Sequence, residues 1–170
     1  MKNNCFIALV FLVMVGGCKP EITPPDNSLK ILMLALVHLP VQYPLDFEAD
    51  EISGDYKPST GLLRVEGKMA GSSDRIELRI KNVGDKVAGE YEIGDFSLSS
   101  TNARAEFIDG SGSWNGRSIS GKFIITKFTH SETDNIWFLS GTFSFRAKSG
   151  VEEFDVTDGE IVNALILEDA

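Results

Sequence analysis

Ile119-Ser120-Gly121-Lys122-Phe123-Ile124-Ile125-Thr126-Lys127-Phe128 and Ile136-Trp137-Phe138-Leu139-Ser140-Gly141-Thr142-Phe143-Ser144-Phe145-Arg146-Ala147 decide the fold of this chain. Both runs are rich in β-branched and aromatic residues, and the polar stretch from Thr129 to Asn135 between them makes a hairpin connection. Apolar side chains occur at both parities, the pattern of central strands covered on both faces. Gly121 and Gly141, each followed two residues later by phenylalanine, mark bulges or places where an aromatic ring lies over bare backbone.

Working outward, Val151 to Val156 and Glu160 to Leu167 read as two more segments joined by a turn at Thr157-Asp158-Gly159. Upstream, residues 62–69 and 75–81 alternate apolar and charged side chains with period two, and Gly71 to Asp74 turns between them. Asn82 to Lys86 makes the next turn, after which Val87 to Ile93 and Ala103 to Ile108 continue the pattern, with Ala103, Ala105 and Phe107 on one face. The expectation is an all-β, single-domain, antiparallel protein of roughly eight to ten strands, a β-sandwich or an incomplete barrel. A sandwich is preferred, because the longest strands read as covered on both faces.

Residues 29–59 are an N-terminal segment that periodicity leaves open. Its apolar run from Ile31 to Val37 fits a buried helix turn or a buried strand covering the core, and Pro40 and Pro44 end it. Residues 60–170 form the β-domain, and residues 18–28, with three prolines, an extended linker. Residues 1–17 have the layout of an export signal: Lys2, an apolar run from Phe6 to Val15 too short to span a bilayer, and two glycines. Val15-Gly16-Gly17-Cys18 resembles the lipobox of bacterial lipoproteins. That resemblance implies cleavage before Cys18 and acylation there, hence a protein held to the cell envelope, in the outer membrane, facing the periplasm or the cell surface. Several acyl chains on one residue anchor firmly, since each buried methylene contributes about 0.8 kcal/mol.

Loss of residues 1–17 from the 170 leaves 153, enough for one domain with a sizeable core. It also removes Lys2, so 15 basic side chains face 25 acidic ones. That balance argues against nucleic acid, whose phosphates require a basic face, and against adsorption to anionic headgroups. Cys5 leaves with the signal and Cys18 is consumed by acylation, so disulfides, thiolate nucleophiles and cysteine zinc sites drop out together.

Catalytic constellations are sparse. His130, Glu132 and Asp134 alternate through the hairpin connection, and an imidazole with two carboxylates on one side is a donor set for zinc or manganese. A hydrated hairpin tip explains the same residues without a metal. Asp109-Gly110-Ser111-Gly112-Ser113 places serines where a calcium loop requires carboxylates, and it lacks the spacing of a nucleophile elbow. Trp137 reads as core, while Trp114, in a Gly-Ser-rich turn, is the tryptophan placed to contact a ligand such as a sugar. His38 has no carboxylate or thiol near it in sequence and reads as structural or exposed. No catalytic residue and no cofactor is expected. The favoured reading is a non-enzymatic β-domain that binds an envelope protein or a glycan, or supports the envelope. The alternative is a hydrolase or metal-dependent envelope enzyme whose site is dispersed along the chain.

Ile119 to Thr126, Leu139 to Ala147 and Val156 to Val162, with Gly89-Glu90-Tyr91-Glu92-Ile93-Gly94 before them, resemble a family of Bacteroidota lipoproteins of the DUF6252 type. The resemblance spans residues 60–163 and departs from the family pattern at 30–45. It implies a membrane-anchored all-β domain and carries no assigned activity or catalytic residue.

Overall fold

A computed structural model describes residues 30–40, 42–83, 87–95, 98, 102–131 and 134–169. Every element among them is a strand: β1 (Leu32–His38), β2 (Leu45–Glu48), β3 (Glu51–Lys57), β4 (Leu62–Lys68), β5 (Arg75–Ile80), β6 (Gly89–Ile93), β7 (Ala103–Ile108), β8 (Asn115–His130), β9 (Ile136–Ser149) and β10 (Glu152–Glu168). No helix among the described residues is long and apolar enough to cross a membrane. The fold is all-β, as the period-two alternation predicts.

The strands form one sheet in the order β2-β1-β10-β3-β4-β5-β7-β6-β8-β9, and β9 pairs back onto β10. The pairing therefore runs round a ring, and the connectivity is that of the incomplete barrel. Ladders are antiparallel except for two short contacts, β10 with β3 and β6 with β7. Leu63, Val65, Ile76, Leu78, Ala105, Phe107, Phe123 and Phe145 alternate inward and join one continuous core.

Three features differ from the sequence reading. Thr157-Asp158-Gly159 is not a turn between strands, because β10 runs unbroken from Glu152 to Glu168 with β9 along its length. Its register against β9 slips between Val156 and Gly159 and again between Ile161 and Ala164, and Asp158 (φ 52°) and Asn163 (φ 50°) take the left-handed conformation there. Asp and Asn tolerate that conformation better than most side chains, so a turn-like dipeptide supplies a bulge. Second, the segment that periodicity left open supplies strands that lie side by side with those after residue 60 in one sheet. β1 pairs with β10 and β3 pairs with β4, so the apolar run of residues 31–37 is a core strand of the same sheet as the rest. Third, the long strands are not covered on both faces. Along β9, Leu139, Gly141, Phe143, Phe145 and Ala147 are buried, while Thr142, Ser144, Arg146 and Lys148 are exposed. Apolar residues at both parities arise from bulges that shift the phase and from apolar side chains on the outer wall.

Close backbone approach accounts for the two glycines singled out above. Gly121 lies opposite Phe145 and Gly141 opposite Ile125, and a Cβ at either would meet backbone atoms of the facing strand. The ring-over-backbone arrangement occurs at Gly116, beneath the Phe154 ring.

Candidate binding surface

Phe47, Phe107, Phe123, Met33, Leu63 and Ile125 are among the fully buried side chains that fill the barrel interior. With the interior packed, groups able to do chemistry lie on the outer wall.

On the wall formed by β3, β4, β5 and β7, strand register sets Glu66, Glu77 and Glu106 in one row and Arg64, Arg79 and Arg104 in the next. Like charges directly opposite would repel, but each row lies beside one of opposite sign. Arg64 donates to Glu66 (2.7 Å) and through Nε and Nη2 to Glu77 (3.0 and 2.8 Å), and Arg79 pairs with Glu77 from the other side. Burial pushes the Glu77 carboxyl up, but Arg79 and Arg64 outweigh it and hold it below its ordinary value. A carboxyl depressed on folding contributes stability above its unfolded value of about 4.3, and that contribution is lost as pH falls through the folded value. Urea midpoints of Glu77→Gln and the parent should therefore differ at pH 7, by about 1–3 kcal/mol, and converge toward pH 3. A constant difference across that range would show that Glu77 acts through shape and not charge.

Across β8, β9 and β10 an open groove of about 620 Å³ lies over the bulge, walled by Lys122, Thr142, Ser144, Asp158 and Glu160, with Phe143 and Gly159 among its lining. Thr157 donates its hydroxyl to Asp158 (3.0 Å), and His38 Nε2 stands 3.0 Å from the same hydroxyl oxygen. Lys122 pairs with Glu90 at 2.7 Å, and this hydrogen bond raises its pKa. In a neighbouring depression, apart from this groove, Arg146 holds Asp155 with two hydrogen bonds (2.9 and 3.2 Å), which keep that carboxyl below its ordinary value. The groove sets donors and acceptors around the apolar side chains of Ile124 and Phe143, an arrangement suited to a partner with both polar and apolar surface.

Those sequence candidates that fall among the described residues lie elsewhere. Trp114 is buried (8% exposed) and packs edge-on against Phe154 at 5.9 Å, so it cannot stack on a ligand. It shares its parity with Gly116 and Ser118, both buried, but β8 slips against β9 between Ser118 and Ser120, so the alternation of Phe123 and Ile125 extended backward would have placed it outside. His130 ends β8, exposed, with its ring 4.7 Å from that of Trp137. Asp134 is exposed in the connection, and Glu132 and Cys18 lie outside the described residues. Among the described residues no group of three or more His, Cys, Asp or Glu side chains is arranged to hold a metal.

Sequence reasoning missed the aromatic closure at this end of the barrel. Trp137 stacks on Phe128 (4.6 Å, 12°), Tyr56 meets both rings edge-on, and the Trp137 indole donates to Glu168 at 2.8 Å. Only the pairing of β9 with the end of β10 brings Glu168 there, a contact no local pattern encodes. Compared with protein-family models, with curated proteins and with solved structures, the chain finds no match.

Proposed function

We propose that this chain is a lipid-anchored protein of the outer membrane, held through Cys18, whose barrel is a non-enzymatic binding or structural module. The observation that carries the reading is the division of the barrel: its interior is filled by apolar side chains, while its polar groups stand on the outer wall, paired among themselves in open grooves. An envelope protein or a glycan is the partner class such a wall suits. The signal-like start, the small-small-Cys sequence at 16–18, the proline-containing spacer and the resemblance at 119–162 support the anchored location.

Two measurements test the two halves of the proposal. Radiolabelled palmitate should enter the expressed protein and be lost in Cys18→Ser, which should leave the membrane fraction in a high-salt wash. A Cys18→Ser form that stays with membranes sinks the anchor. Glycan and envelope-protein pull-downs with the domain should capture a partner that Lys122→Glu weakens. Stoichiometric zinc in the purified protein, lost in His130→Ala, would replace this reading by the metal-dependent enzyme.

A further inference from the structure

The outer wall of β9 and β10 changes character along its length. From the β9–β10 turn toward the β8–β9 connection, outward side chains on β9 pass from Lys148 and Arg146 through Thr142 to Phe138 and Ile136. On β10 they pass from Asp155 and Glu160 to Leu165 and Leu167. Register places Leu165 beside Phe138 and Leu167 beside Ile136, so the four form one cross-strand apolar patch. None of them belongs to the barrel core, and Leu167 is 60% exposed. Ile136, Phe138 and Leu165 are half-buried beside it, and a contiguous apolar patch at the end of these two strands calls for a partner.

The path of the chain indicates which partner. β1 runs antiparallel to β10, with Leu32 beside Val162 and His38 beside Asp155, so its N-terminal end points toward Leu165 and Leu167. Ile31, the residue before β1, is itself 41% exposed. The chain toward Cys18 therefore leaves the barrel in the direction of the apolar patch. Residues 19–31 between them reach at most about 45 Å when fully extended.

We propose that the patch of Ile136, Phe138, Leu165 and Leu167 rests in the interfacial layer of the bilayer that holds Cys18. This rests on the anchored reading above and adds an orientation to it. The groove at Thr142 then lies farther from the lipid, open to the partner. Contact is through apolar side chains and not charge, in keeping with the acidic balance of the domain, so it is expected on neutral lipid.

The acylated full-length protein in phosphatidylcholine vesicles tests it. With Cys18 blocked as a thioether and Cys5 removed, an introduced cysteine can carry an environment-sensitive fluorophore. Leu167→Cys and Ile31→Cys report on the patch end, and Val151→Cys, 91% exposed in the opposite turn, serves as reference. Quenching by lipid-borne spin labels is expected to be several-fold stronger at 167 and 31 than at 151. Equal, weak quenching at all three sites in protein shown to carry palmitate overturns the orientation and leaves the anchor standing. Shielding of 167 from aqueous iodide without quenching from lipid overturns it in favour of a second copy or a protein partner. Failure of palmitate to enter the protein overturns both.

Discussion

Gly121→Val is expected to lower stability by about 2–6 kcal/mol, a large share of the 5–15 kcal/mol that holds an ordinary domain folded. Gly121 has φ +152°, which L side chains rarely adopt, and a Cβ there would press on the Ser144 carbonyl and the Phe145 Cα of the facing strand. The backbone cannot move aside, because β8 is held at this residue by Phe145 of β9 and by Ile93 of β6. Gly150→Val is the comparison without crowding. It too has a positive φ (+64°) but nothing within 4 Å, so only the conformational cost of about 1–2 kcal/mol applies. Urea denaturation of the two variants separates crowding from backbone preference. Equal midpoints would mean that the strands do not approach as closely as described.

Phe107→Ala bears on function as well as on stability. Phe107 is fully buried and meets Phe154 edge-on at 5.8 Å, and Phe154 meets Trp114 in turn. In a packed interior its loss should cost about 3–5 kcal/mol, since the surrounding sheet relaxes only partly into the space left behind. A cost below about 1 kcal/mol would indicate an interior able to rearrange around a guest. The barrel would then be a candidate for carrying a ligand inside, and the outer wall would lose its claim as the working surface.

How far the fold was legible follows from which interactions are local. β4, β5, β7 and the middle of β8 and β9 declare themselves because alternation needs only that one face be buried, and Ile76, Leu78 and Ile80 keep strict phase. The 157–163 stretch misleads because Asp-Gly describes a backbone conformation and not a topology. The same left-handed residue reverses a chain in a hairpin and widens a ladder in a bulge, and only the neighbouring β9 decides between them. The strand from Leu32 to His38 was ambiguous because a short apolar run has no phase of its own until β10 and β2 lie beside it. Of the candidate side chains, Trp114 was hidden by the phase shift of β8 between Ser118 and Ser120, which only the neighbouring β9 reveals. The rows of Glu and Arg on β4 and β5 were visible as alternating charges, whereas their alignment depends on register.

Because β10 lies between β9 on one side and both β1 and β3 on the other, contacts at opposite ends of the chain must form before the ring exists. Leu32 meets Val162, a sequence separation that makes loop closure costly and the approach to the native state slow. A nascent polypeptide lacking its final strand would leave β1 and β2 without the neighbour that docks them. Completion of the barrel is thereby deferred until β10 is available, which leaves the earlier strands open-edged in the meantime.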